Sequence, residues 1–361
     1  MAVTVLLGGD VMLGRGVDQI LPHPGRPELR EPWVRDARHY VEAAERASGP
    51  IPRPVDFAWP WGEVPRILDD LAPDVRLLNL ETAITADGAF EPNKGIHYRM
   101  HPGNIAALTA IRPDACALGN NHSLDFGRRG LADTLETLDG AHIQPVGAGS
   151  DLAEARSPAI VPLADGRRAV IVSLGARTSG TPASWAAEAG RSGLWWIDHP
   201  SARHAVEVAA QLSAHRRTGD VVIVSVHWGP NWGYGIGRSE QEFAHRLITG
   251  GVDIVHGHSA HHPRPIEIYR GRPILYGCGD VIDDYEGIGG HESYRPDLRL
   301  LYLVTIDGAD LAVRMLPLCI RRIRLQRTDR EQTRWLRTRL EDISVGFGTR
   351  VHLGDDDLLR I

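Results

Sequence analysis

Cysteine is scarce in this chain of 361 residues: Cys116, Cys278 and Cys319 stand far apart and form no C-x-x-C pair. That excludes a disulfide framework and a cysteine-held zinc, and it fits a reducing compartment. Long apolar runs are also missing. No stretch has the length of a membrane helix, and the chain opens on A-V-T-V-L-L with neither a basic start nor a small-residue cleavage site. The expectation is a soluble, cytoplasmic protein with no membrane contact. Positive charge is in deficit, with 40 Lys and Arg against 46 Asp and Glu, so no basic field for nucleic acid exists. The one basic run, R-R-I-R at 321–324, has no interleaved aromatics and reads as a solvated strand or turn. G-x-G-x-x-G, a P-loop, internal repeats and low-complexity segments are all absent, and no organic cofactor is expected.

What is present is an ordinary globular composition, 42% hydrophobic, able to bury a substantial core. Short apolar runs alternate with amphipathic stretches, which predicts an α/β architecture. Strands are expected at Val3–Leu7, Val75–Leu80, Ala115–Leu118, Ala169–Leu174, Val221–Val226, Ile254–Val255 and Ile274–Tyr276. Polar clusters follow six of them: Gly9-Asp10, Asn79-Leu80-Glu81, Gly119-Asn120-Asn121-His122, His227-Trp228-Gly229, Gly257-His258 and Gly277-Cys278-Gly279-Asp280. Ligands bind outside the carboxyl ends of strands in open α/β sheets, so these clusters should converge on one pocket. Residues 21–65, rich in Pro, Trp and Arg, are expected to insert as a wall or lid. Two strands with an Asp-Gly turn and a helix over 329–343 follow His291, and residues 298–361 are expected to complete the second sheet of a single domain spanning 1–361.

The segment V-H-G-H-S-A-H-H packs His256, His258, His261 and His262 into seven residues. Neutral imidazoles at a strand mouth can surround a cation, whereas four core histidines would each need a hydrogen-bond partner. Asp10 among glycines can approach a cation, and is otherwise a turn or cap aspartate. Glu81 carries the same ambiguity. In G-N-N-H followed by Asp125, the Asn121 amide oxygen suits a cation, and His122 oriented by Asp125 can act as acid or base. His227 alone reads as a core histidine. Arg15 and Arg99 are candidates to clamp a substrate carboxylate, or else surface arginines, and Trp228 and Trp232 line an aromatic pocket or lie in the core.

G-D-V-M-L-G-R, N-L-E-T, G-N-N-H with Asp125, V-H-W-G and G-H-S-A-H-H-P-R-P followed by Y-G-C-G-D resemble, in order, the CapA-like branch of the calcineurin-like metallophosphoesterase superfamily over about the first 290 residues. The resemblance implies a calcineurin-like four-layer α/β/β/α sandwich with a metal site at the carboxyl ends of the strands. It assigns Asp10, Asn121, His227 and His258 to the metal, with Glu81 where a bridging aspartate usually stands, and His122 to the catalytic acid. His261 matches the second histidine of G-H-x-H only with one extra residue. The family's Asp-x-His is here Asp10-Val11-Met12, and a thioether cannot replace imidazole for a hard or borderline dication, so one metal is expected rather than two.

The oxygen-rich ligand set leaves Ca²⁺, Mg²⁺, Mn²⁺ and Zn²⁺ open. The short form resembles the epimerases of lasso-peptide biosynthesis within that branch. The favoured reading is metal-dependent inversion of a Cα centre in a ribosomal precursor peptide, with His122–Asp125 and His261 (or His291) with Asp280 or Asp283 as the two acid/base pairs. Phosphoester hydrolysis and a poly-γ-glutamate-related role are the alternatives, with a binding protein on an inactive scaffold as a further one.

Overall fold

Two sheets packed face to face, with helices on both outer faces, make up the computed structural model, which describes residues 1–361. Side-chain alternation builds the layers. In β1 (Val3–Val11), Val3, Val5 and Leu7 enter the core between the sheets, while Leu6 and Val11 enter the core beneath the outer helices. β2 (Val75–Leu80), β3 (Ala115–Ala117) and β4 (Gln144–Val146) run parallel to it in succession. Strands buried on both faces read as continuous apolar runs, which is why the sequence shows them as such.

The second sheet holds β5 (Ala159–Pro162), β6 (Arg168–Ala176), β7 (Trp196–Ile197), β8 (Val221–His227), β9 (Ile254–His258), β10 (Ile266–Tyr269) and β11 (Arg272–Leu275), in the order β7-β6-β8-β9-β11-β10 with β5 on β6. Ile171 and Ile223 face the inter-sheet core, and Val172 and Val224 face outward. α1 (Arg38–Ser48), α2 (Val64–Leu71), α3 (Ile105–Thr109) and α4 (Gly127–Gly140) cover the first sheet through Val41, Leu68, Leu108 and Leu131. Beyond the short α5 (Leu152–Arg156), α6 (Ala202–Ser213) and α7 (Arg238–Thr249) cover the second through Val208 and Phe243. The result is a four-layer α/β/β/α sandwich.

After β11 the chain crosses back. β12 (Asp280–Ile282) lies parallel beside the end of β1, with Asp280 level with Asp10. Asp280 therefore opens a strand of the first sheet instead of closing Ile274–Tyr276. β13 (Leu298–Asp307) and β14 (Asp310–Ile320) form a long hairpin that pairs antiparallel with β1. The expectation that residues 298–361 complete the second sheet is corrected: the hairpin extends the first, whose leading strand offers ladder partners along its free edge. α8 (Arg330–Ser344) sinks Leu336 and Leu340 into the inter-sheet core, and Ser344 Oγ accepts the Ile266 N–H at 3.0 Å.

Candidate metal centre

Parallel strands in both sheets send their carboxyl ends to one side, and two glycines let the backbones close there. A Cβ on Gly9 would stand 1.8 Å from the Gly279 oxygen, so only glycine lets β1 and β12 approach. A Cβ on Gly119 would meet the Leu174 backbone at 2.7 Å, where the two sheets touch. These contacts deliver Asp10, Glu81, Asn121, His227 and His258 to one buried place.

Asp10 is fixed by two donors: Asn79 Nδ2 gives to Oδ1 at 2.7 Å, and the Ser259 N–H gives to Oδ2 at 3.2 Å. Ser259 holds a φ of 108° to do so, a strained conformation outside glycine. Asn120 Nδ2 donates in turn to Asn79 Oδ1 at 3.1 Å. His258 Nδ1 lies 3.9 Å from Asp10 Oδ1 and 2.7 Å from His227 Nδ1, while its Nε2 is held by Ser225 Oγ at 2.8 Å. His227 Nε2 is 3.0 Å from Asn121 Oδ1 and 3.6 Å from Glu81 Oε1.

Asp10, His227 and His258 thus present three ligand atoms within 4.8 Å of one another. Glu81 Oε2 is buried with no hydrogen-bond partner, a costly state for a carboxylate oxygen unless a cation meets it. Burial and the neighbouring Asp280 push the Asp10 carboxyl up to about 7, and burial together with Asp10 raises Glu81 well above the carboxylate range. Burial holds His227 and His258 far below the usual imidazole range, in the neutral form. Carboxylates that resist ionising beside neutral imidazoles fit a divalent cation.

Two imidazole–carboxylate pairs flank this group. His122 Nδ1 meets Asp125 Oδ2 at 2.7 Å, leaving Nε2 3.8 Å from Glu81 Oε1. Burial, opposed by Asp125, holds His122 down at about 4. His261 Nδ1 meets Asp280 Oδ1 at 2.9 Å. Burial acts to lower His261, but Asp280, Asp10 and Asp283 together outweigh it and the group is raised.

Sequence reasoning missed Lys94, the only lysine in the chain. Its ammonium bonds Asp125 and the Asn121 carbonyl, and lies 3.0 Å from His122 Nδ1. Being unique was the available signal. Asn231, whose Nδ2 is 3.2 Å from His261 Nε2, carried none, because it sits in a loop beyond any motif.

Residues 4–285 match the family described as bacterial capsule synthesis protein PGA_cap. The chain belongs to this family. It is 59% identical over 363 residues to a "Probable polyglutamine synthesis accessory protein" of Mycobacterium tuberculosis, covering 99% of this chain and 96% of that one. The PGA biosynthesis protein CapA of Bacillus subtilis is 25% identical over 76% of this chain and 62% of its own length, and the capsule biosynthesis protein CapA of Bacillus anthracis is 22% identical over 78% and 60%. The crystal structure of TT1561 of Thermus thermophilus covers 87% of this chain and 98% of its own, at 12% identity and a TM-score of 0.39. No helix of this PGA_cap protein is long and apolar enough to cross a membrane.

The residues expected to hold substrate fare differently from the centre. Arg15 is not a free clamp: its guanidinium is buried between Glu31 and Asp284 and lies 3.6 Å over the Tyr40 ring. Arg99 turns away onto Phe126, at 3.7 Å, and gives an N–H to the Gly88 carbonyl at 3.2 Å. Trp228 lies wholly in the outer core against Phe243 and Tyr276, its N–H on the Tyr276 carbonyl at 2.9 Å. Strand alternation explains this, since residue 228 faces opposite to His227. In its place Trp232 reaches a cleft of about 340 Å³ bounded by Arg15, Tyr40, His261, Tyr285 and His291, stacked on His291 at 3.7 Å. Tyr40, from the 21–65 segment, is among the residues lining that cleft.

Proposed function

We propose that this PGA_cap protein is a metal-dependent enzyme that cleaves or transfers an amide of a glutamyl polymer. The observation that carries the reading is the convergence of Asp10, His227 and His258, with Asn121 and the unpartnered Glu81 oxygen beside them. The names of the relatives, which concern polyglutamine, PGA and capsule synthesis, support a polymer substrate ahead of the precursor peptide expected from the sequence. A dication held there supplies Lewis-acid polarisation of a carbonyl oxygen. The chain's own residues do the rest. Asp125 holds His122 through Nδ1, so the bare Nε2 is the atom that takes a proton from the attacking water or acceptor amine and passes it to the departing amine. Lys94 and the Tyr98 N–H, at 2.6 Å, lock Asp125 in turn.

The test is purified protein with Mn²⁺ and γ-glutamyl oligomers in H₂¹⁸O. Shortened chains carrying ¹⁸O in a new carboxyl are expected, with the rate down by roughly 10²-fold or more in His122→Ala. Unchanged oligomers with no label would end this reading. A second reading, epimerisation at Cα, is favoured by one observation: His122–Asp125 and His261–Asp280 stand as two acid/base pairs about one centre. In D₂O it predicts one deuterium at Cα with no chain shortening. Phosphate release from simple phosphoesters, without either signature, points instead to a phosphoesterase.

A further inference from the structure

The loss of a ligand at Met12 invites a search for what took its place. Met12 is fully buried, with Sδ 3.8 Å from the Tyr285 hydroxyl. The next strand over supplies a carboxylate. β12 lies parallel to β1, and its first residue, Asp280, is level with Asp10. His261 arrives from the loop after β9, and Asp10, His261 and Asp280 bring one ligand atom each to within 4.8 Å of the others.

We propose that Asp280 and His261 hold a second cation, with Asp10 shared between it and the cation of the Asp10–His227–His258 group. The inference rests on the reading that the latter group binds metal.

Two features separate this from an ordinary imidazole–carboxylate pair. Asp280 Oδ2 is buried and unpartnered, in a side chain with no exposed surface. A simple pair with His261 leaves that oxygen orphaned, whereas a cation gives it a partner. Finally, the cationic side chains nearby are already committed: Arg299 pairs with Asp283, Arg15 with Asp284 and Glu31, and Lys94 with Asp125. None of them is left for Asp10, Glu81 and Asp280.

Asp10 is suited to sharing. Each of its oxygens accepts one donor, from Asn79 or from Ser259, and keeps lone-pair capacity. Two carboxylates and an imidazole favour Mn²⁺, Fe²⁺ or Zn²⁺ over Ca²⁺. The missing histidine of the Asp-x-His motif is thus answered from a strand more than 260 residues further on, which no local motif reveals.

The test is manganese loading of the full chain after chelation, read by metal analysis after equilibrium dialysis and by electron paramagnetic resonance. Two Mn²⁺ per chain with an exchange-coupled signal are expected. Asp280→Asn should weaken the second equivalent by at least about 10-fold and leave the isolated six-line signal of a single ion. One equivalent and an uncoupled signal in the unaltered protein overturn this inference and leave the proposed function standing. No bound metal at all overturns both. Two coupled ions in Asp280→Asn remove Asp280 from the site. Should that variant fail to fold by circular dichroism, the stoichiometry and coupling of the unaltered protein decide alone.

Discussion

Trp228 and Trp232 separate packing from binding at the scale of single residues. Trp228→Ala empties a fully buried site and is expected to cost about 3–5 kcal/mol of stability. Trp232→Ala should leave the melting temperature within a degree or two while raising KM several-fold, because its ring lines the cleft beside His261. Equal melting temperatures for the two variants would refute the assignment. His262 gives a pH prediction. Its Nε2 accepts the Gly233 N–H at 3.0 Å and its Nδ1 lies 3.0 Å from the Pro263 carbonyl, an arrangement that holds the ring neutral. Burial, the leading cause, pushes it down to about 4, and pushes His256 down to about 3. The unfolded chain takes these protons from about pH 6.5, so their stabilisation is complete above that value. It is lost as pH falls from 6.5 towards 4, at up to about 1.4 kcal/mol per unit for each histidine. Melting curves at pH 7.5, 6.5, 5.5 and 4.5 should show the decline, shallower in His262→Gln. A flat profile contradicts it.

At the scale of elements, the close approach of β1 and β12 is the contact most sensitive to a single methyl group. Gly9→Ala places a Cβ against the Gly279 oxygen and is expected to destabilise by about 1–3 kcal/mol. The same strand displacement moves Asp10 from Asp280, so Mn²⁺ affinity should fall with it; unchanged affinity would uncouple the two. At the start of α8, Asp329 accepts the Gln332 N–H at 2.8 Å, and Gln332 reaches back to the Asp329 N–H at 3.0 Å. Asp329→Ala should cost about 1 kcal/mol in urea unfolding. Strands such as Val75–Leu80 and Val221–His227 were legible because burial on both faces leaves unbroken apolar runs. The path of residues 298–361 was not, since edge pairing to β1 depends on which sheet edge is free, and no local pattern records that. That Asp10, Glu81, Asn121, His227 and His258 converge was readable from strand-end position, whereas their assignment to a metal came from the family resemblance, since His227 alone reads as a core histidine. Trp228 was misjudged because proximity in sequence to His227 hid the reversal of side-chain direction along a strand; that Arg15, though it lines the cleft, is already paired was hidden because its acidic partners lie up to 269 positions away.

For the whole molecule, the centre ties the two sheets together: Asp10 and Glu81 come from one, His227 and His258 from the other. A cation bound between them stabilises the sandwich by mass action, by about 2.7 kcal/mol at a free concentration 100 times the dissociation constant. Scanning calorimetry should therefore show a lower melting temperature after chelation, restored by Mn²⁺. Identical transitions with and without chelator would count against a metal at this place.

The solitary lysine has a practical consequence of another kind. Reductive methylation with ¹³C-formaldehyde would install label at two amines, the one at Met1 and the one at Lys94, where 16% of the side chain reaches solvent. One of those two resonances would sit beside the His122–Asp125 pair, so a carbon spectrum would report occupancy of the site directly, with no mutation and no crowded background to assign.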